Sequence, residues 1–381
     1  MIPPPPSTLL VDAVGVKVRI DLTELTDADR GAVESAWAGA RTVDDAGADA
    51  VVRPVRSEPT DQMLSHLSGA VTHEAIRAQR GSSWMLHAGG VAAPDGGVVA
   101  LVGASGAGKT TATRRLARTW AYVSDETIGV DPDGRVHAYR KPLSVITAGH
   151  PVKLQHSPAS LGLRPLPDAT LRLRRIVLLD RSDHHREARL VPVDPAEALI
   201  ALAPHSSALA AMPHPLTTAT RLLAATRGLW RAEYAEADDL DALIEDILLR
   251  DDDHEAPSSV AAPEPPRAPV ADATTPAPRA LSASVSPGGP TTGGRRFHRA
   301  PAVETLPFSP DRLAVLTASG DGAGLLHLLA GAAPALWHAA DAATREELIR
   351  AVTDGRGHRE AHEAIDGILD QLVEAGLLTV A

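Results

Sequence analysis

The sequence predicts a mixed α/β protein in two folded parts: an α/β domain built around one strand–loop–helix unit, and a small α+β domain at the C-terminal end. Three observations predict it. "GVVALVG", Gly97 to Gly103, reads as a buried strand that passes through a glycine-rich loop into the helical "TTATRRLART". Strand-like and helix-like stretches alternate on both sides of that unit. A segment from Asp251 to Arg296, rich in Pro, Ala, Ser and Gly and nearly free of large apolar residues, then separates it from a second set of elements. Such a segment cannot bury enough surface to offset its ordering entropy, so it is expected to be a disordered tether.

Taken in order, residues 1–75 pair a strand-like "VGVKVRIDL" with a helical "TDADRGAVESAWAGA", and are expected to pack on the next domain. Thr26 and Asp29 form a capping box with a short acid at the third helical position. Residues 76–250 are expected to form the α/β domain. Its hairpin "ETIGVDPDGRVHAY" turns at Asp131–Gly134, "LRRIVLLDR" is a further buried strand, and helices are expected over Ala196–Leu209, Leu216–Leu229 and Asp238–Leu249. After the tether at 251–296, residues 297–381 read as three short strands and three helices. Ile365, Ile368, Leu369 and Leu372 share one face of the last helix, and Gly376 stands at its C-cap.

Bulk properties bound the function. A chain of 381 residues exceeds one ordinary core. It contains no cysteine, which removes disulfides and thiolate chemistry and fits a reducing cytoplasm. A net charge of −11 argues against nucleic acid as the main partner. No apolar run reaches bilayer length and the start lacks a basic leader, so a cytoplasmic protein with no membrane partner is expected.

Gly103, Ser105, Gly106, Ala107, Gly108, Lys109 and Thr110 fit the full G-x-x-x-x-G-K-[ST] pattern, with Thr111 next on the helix. Backbone N–H groups of such a loop turn around a phosphate, the lysine reaches the β- and γ-phosphates, and the threonine hydroxyl faces Mg²⁺. ATP with Mg²⁺ is the expected ligand. Asp125 and Glu126 follow Lys109 by 16 and 17 residues. Two acids there can divide labour, one taking a proton and one holding metal, provided the strand ends or bulges so that both face the nucleotide. Asp180, ending "IVLLD", is a second strand-end acid. Arg140 and Lys141 stand where they can meet a phosphate or a peptide acid, or simply face solvent.

The stretches "MLHAGGVA", "GGVVALVGASGAGKTTATRRLA", "YVSDETIGV" and "YRKPLSV" together resemble the catalytic domain of HPr kinase/phosphorylase and related kinase-like proteins of peptide natural-product pathways. The resemblance is specific over about 81–144 and looser to about 250. It implies an α/β P-loop kinase-like fold of the HPr kinase/PEP carboxykinase type. It also implies a catalytic pair of His87 and Asp125, with Asp125 as general base, and a metal held by Thr110 and Glu126. Glu126 departs from the family pattern, which has Asp there.

Residues 297–381, through "ALWHAAD", "TREELIRAV" and "LVEAGLL", resemble the PqqD family, a winged-helix-like α+β peptide-binding domain also called a RiPP recognition element. The element order also suits a DNA-binding winged helix, but the last helix carries Glu360, Glu363, Asp366, Asp370 and Glu374. The resemblance implies that a precursor peptide's leader adds a strand beside Leu325, Leu326, Leu328 and Leu329, over a floor of Ile365, Leu369 and Leu372. Two functions are therefore expected as alternatives. One is an ATP-dependent kinase acting on a Ser or Thr hydroxyl of that peptide. The other is an adaptor that presents the peptide to a separate modifying enzyme such as an oxidoreductase. A regulator acting on a carrier protein leaves the C-terminal domain unexplained. The family resemblance also allows a homo-oligomer.

Overall fold

The computed structural model describes residues 7–43, 47–56, 58–147, 149–150, 152–249, 295–320, 322, 324–353 and 359–381. The expected tether lies outside them apart from Arg295 and Arg296. The described residues form a mixed α/β protein with several sheets.

Strands Thr8–Ala13 and Val16–Asp21 pair antiparallel, and Ala50–Val52 joins the second in parallel. Helix Asp27–Trp37 starts where the capping residues place it: the Thr26 hydroxyl oxygen accepts the Asp29 N–H at 3.2 Å. Val33 and Trp37 pack with helix Thr60–Ala78 against this sheet, in a core that extends to Met85 and Tyr139. There the Tyr139 hydroxyl lies 2.9 Å from the Thr72 hydroxyl.

The central sheet has six strands in the order Arg189–Val193, Leu229–Tyr234, Arg172–Arg181, Gly97–Val102, Ala88–Ala92 and Ala121–Ser124. Arg172–Arg181 runs parallel to both of its neighbours, whereas Ala88–Ala92 is antiparallel to both of its own. Every residue of Gly97–Val102 is buried, which explains its unbroken apolar sequence. Helix Lys109–Leu116 lies close over the sheet at Gly89, where a Cβ would overlap the Thr113 hydroxyl, so only glycine fits. A second sheet orders Ser206–Ser207, Trp84–Leu86, Ile128–Val130 and Val136–His137, with the hairpin turn at Asp131–Gly134 as expected.

Two helices are shorter than their patterns suggest. The one expected to reach Leu209 stops at Leu202, because Pro204 interrupts it and Ser206–Ser207 leave to pair with Met85 and Leu86. The one expected to reach Leu229 stops at Ala225, and Leu229 instead opens a central strand.

Contacts divide the described residues into two units. The first holds those up to residue 249 together with Ala302–Phe308 and Ala314–Leu328. The second holds 295–301, Ser309–Leu313 and Leu329–Ala381. In the first unit Leu306, Ala314 and Leu316 are buried in the same core as Leu209, Met212 and Leu216. Helix Pro215–Ala225 has no side-chain cap from His214; Glu304 supplies one, accepting the N–H of Leu216 at 2.6 Å and of Thr217 at 3.2 Å. A carboxylate there meets both the unpaired donors and the positive end of the helix.

The second unit contains helices Ala333–Ala339, Arg345–Thr353 and Arg359–Glu374. It also contains a sheet ordered Asp341–Thr344, Arg296–Arg299, Leu378–Val380, which the sequence pattern does not suggest. Arg345 forms a two-bonded ion pair with Asp366, and the Arg299 guanidinium lies 5.3 Å from the centre of the Trp337 ring. Gly376 follows the last helix with φ +69°, the left-handed cap expected of it.

Candidate functional site

The central strand ends at Val102, the loop Gly103–Gly108 follows, and the helix begins at Lys109. Gly108 caps that helix with φ +87°, a conformation that L side chains rarely adopt. The first N–H groups of the helix have no partner within it, which makes this end receptive to an anion. Lys109 folds back over the loop, donating to the carbonyls of Gly103 at 2.7 Å and Ala104 at 3.2 Å. Burial pulls its ammonium below the ordinary lysine value.

His87 and the acidic pair meet at one seam. Leu86 pairs with Ile128 in the four-stranded sheet, and Gly90 pairs with Ser124 in the six-stranded one. His87 and Asp125–Thr127 therefore occupy the two facing crossings between the sheets. The strand carrying the acids does end at Ser124, whose hydroxyl accepts the N–H groups of Glu126 and Thr127, both at 3.2 Å. That turn meets the condition for both acids to face one side.

They face a cleft of about 740 Å³. Ser105, Gly106, Gly108, Lys109, Thr110, Thr111, His87, Asp125 and Glu126 all line it, while Gly103 and Ala107 belong to the loop without lining the cleft. Arg114, Arg118 and Lys153 add positive charge to its wall. Asp180 is not among the lining residues; it lies 3.7 Å from the His185 ring nitrogen.

Two residues complete the acidic centre: Tyr122, given no role by the sequence, and Lys141, which neither faces solvent nor is free for a phosphate as expected but is buried against the two acids. Lys141 is 2% exposed and reaches Glu126 Oε2 at 2.9 Å and Asp125 Oδ1 at 3.7 Å. Burial alone lowers its ammonium, but the two carboxylates more than offset that and hold it above the ordinary lysine value. The Tyr122 hydroxyl donates to Asp125 Oδ1 at 2.9 Å, and burial beside that carboxylate pushes the phenol well up. One signal for Tyr122 was available: tyrosine occurs only three times in the chain, and all three are buried. Lys141 had no signal beyond its charge, because its partners are distant in sequence.

The His87 ring reaches solvent, yet the cleft walls desolvate it enough to pull it below the ordinary histidine value, and Lys109 adds to this against the opposing pull of Glu126 and Asp125. His205, whose carbonyl accepts the His87 backbone N–H at 2.7 Å, is lowered by burial first, then by Lys109 and His87.

The candidate peptide-binding residues are placed differently. Leu325 is 56% exposed, Leu326 and Leu328 are half-buried, and Leu329 is buried. Leu326 packs against the core of the first unit. Ile365, Leu369 and Leu372 are buried within the second unit. Strand Leu325–Ala330 forms one edge of the sheet that it makes with Ala302–Ser309 and Arg312–Thr317.

No protein-family model matches the sequence, and no curated protein is significantly similar to it. Among the described residues, no helix is long and apolar enough to cross a membrane.

Proposed function

We propose that the chain binds ATP with Mg²⁺ at the Gly103–Thr110 loop and phosphorylates a Ser or Thr hydroxyl of a ribosomally made precursor peptide in the cytoplasm. In this reading the first unit carries an HPr-kinase-like P-loop fold and the C-terminal region a PqqD-like recognition fold. The observation that carries it is the convergence of Lys109, Thr110, His87 and Asp125 on one cleft whose wall is rich in cations. Oxygen donors from Thr110 and Glu126 suit Mg²⁺, a hard cation, in a cleft that also presents a helix N-terminus to phosphate. The metal supplies charge neutralisation at the transferring phosphate.

The chain's own residues do the rest. Lys109 leaves its loop carbonyls to meet phosphate oxygens, and Arg114 and Arg118 extend the positive wall. Asp125 has Oδ1 fixed by Tyr122, and among the described residues Oδ2 has no hydrogen-bond partner. Oδ2 accepts the proton of the attacking hydroxyl. His87, uncharged near neutral pH, lines the same cleft and can orient that hydroxyl. The leader is held by strand addition at the edge beginning with the exposed Leu325, beside Leu326 and Leu328.

One observation favours the adaptor reading. Glu126 is already engaged through Oε2 by Lys141 at 2.9 Å, and this closed pair competes with metal binding. If it stays closed, the loop binds nucleotide without transfer and the protein presents the leader to a partner enzyme.

The test mixes the protein, Mg-ATP and the precursor encoded beside its gene, and looks for a phosphoryl mass gain. The kinase reading expects that gain with the natural chain and its loss with Asp125→Asn. Recognition is probed with Leu325→Glu rather than by truncation before Arg296, which would strip Leu306 and Leu316 from the first unit's core. If the mature product forms in cells with Asp125→Asn but not with Leu325→Glu, the adaptor reading replaces the kinase.

A further inference from the structure

Arg140 and Lys141 are neighbours, but they serve different clefts. Lys141 lines the loop cleft, whereas Arg140 lines a second one of about 410 Å³ between the N-terminal sheet region and the hairpin after Ile128. Its volume lies within the roughly 300–1,000 Å³ common for ligand clefts. Arg41 and Arg135 line it as well.

Among the described residues, none of these three arginines has a carboxylate partner. The chain has 48 acidic residues against 37 lysines and arginines, and several arginines elsewhere do pair with acids: Arg53 with Asp21, Arg115 with Asp241, Arg189 with Glu233. Among the described residues, none is paired with the side chain of Arg41, Arg135 or Arg140. The Arg140 Nε is shielded from solvent without any hydrogen-bond partner. The one carboxylate on the lining, Asp12, is already taken by Lys17 at 2.8 Å, and His137 is held by Asp131 at 2.9 Å. The lining also carries apolar side chains, among them Val136, Leu166 and Pro167.

We infer that this second cleft binds an acidic peptide segment, with Asp or Glu carboxylates on Arg41, Arg135 and Arg140 and flanking aliphatic side chains on Val136, Leu166 and Pro167. Guanidinium forks match a carboxylate's two oxygens. The apolar side chains select a ligand with hydrocarbon beside its charge, which a peptide offers and a bare oxyanion does not. Such a ligand would also be felt in the loop cleft: the Arg140 guanidinium lies 5.9 Å from the centre of the Tyr122 ring, whose hydroxyl holds Asp125. This inference does not depend on the kinase reading, because its test measures binding without nucleotide.

The full chain is titrated calorimetrically with acetyl-Leu-Glu-Leu-Glu-Leu-amide, with its counterpart carrying Gln for Glu, and with inorganic phosphate. The acidic peptide is expected to bind at least about tenfold more tightly than the Gln peptide, and Arg135→Gln with Arg140→Gln to lose about tenfold or more. Arg189→Gln, which removes a paired arginine from the edge of the central sheet, leaves the affinity unchanged. If the double variant fails to fold, as read by its thermal melt, Arg41→Gln at an exposed position carries the same test. Equal binding of the two peptides, an affinity indifferent to these arginines, binding of phosphate alone, or no binding at millimolar peptide overturns the inference.

Discussion

The two clefts on either side of Arg140 and Lys141 balance charge in opposite ways. In the loop cleft the most buried cation, Lys141, has carboxylates at 2.9 and 3.7 Å, and one of those carboxylates also holds a tyrosine hydroxyl. In the second cleft three guanidinium groups line the wall without a carboxylate partner among the described residues, and the most enclosed of them is only half-buried. Depth explains the difference. A lysine 2% exposed cannot stay charged without partners, while an arginine that still touches water can. The first arrangement is a closed network fixed by folding; the second leaves its pairing to a ligand.

The largest effect expected from breaking this contrast is at Lys141. Lys141→Met leaves Asp125 and Glu126 facing each other without their cation, and is expected to cost about 3 kcal/mol in urea unfolding. A loss under about 1 kcal/mol would show that the network is better solvated than its burial indicates. Tyr122→Phe removes one donor from Asp125 and is expected to cost about 1–2 kcal/mol by the same measurement. On the other side, Arg140→Gln is expected to change stability by less than about 1 kcal/mol, since only a ring contact is lost.

The smallest effect is a slope with pH. His87 and His205 both lie below the ordinary value of 6.5 in the folded chain, so near that value the unfolded chain binds more protons. Stability therefore rises with pH through this window and falls as the medium is acidified below about 6.5. Thermal melts between pH 7.5 and 5.5 should show that decline, and His87→Gln combined with His205→Gln should flatten it. An unchanged slope would assign the decline to other groups.

Legibility followed the same physics. The Gly103–Thr110 loop could be read directly because its glycines and spacing fix local backbone geometry. Asp125 could be read as an acid ending a short apolar strand, whereas His87 was placed through the family resemblance. The strands before them, Trp84–Leu86 and Ala121–Ser124, do not pair with the loop strand. Lys141 could not be placed, because a single charged residue carries no information about acids reached only through tertiary pairing. The strands Arg296–Arg299, Asp341–Thr344 and Leu378–Val380 escaped because three or four residues are too few to show alternation. The final helix illustrates the converse: its apolar face was legible, but Ile365, Leu369 and Leu372 are buried inside their unit, and periodicity cannot tell a floor for a ligand from an ordinary core.

Glu304, which caps helix Pro215–Ala225 from beyond the tether, has a consequence for how such a chain can arise and be rearranged. The backbone passes between the two units several times, since 302–308 and 314–328 return to the first after 295–301 has joined the second. A recombination event inside the tether would carry off Leu306, Leu316 and the helix cap along with the second unit. A replacement C-terminal segment would therefore have to supply equivalents of Leu306, Leu316 and Glu304 to complete the first unit.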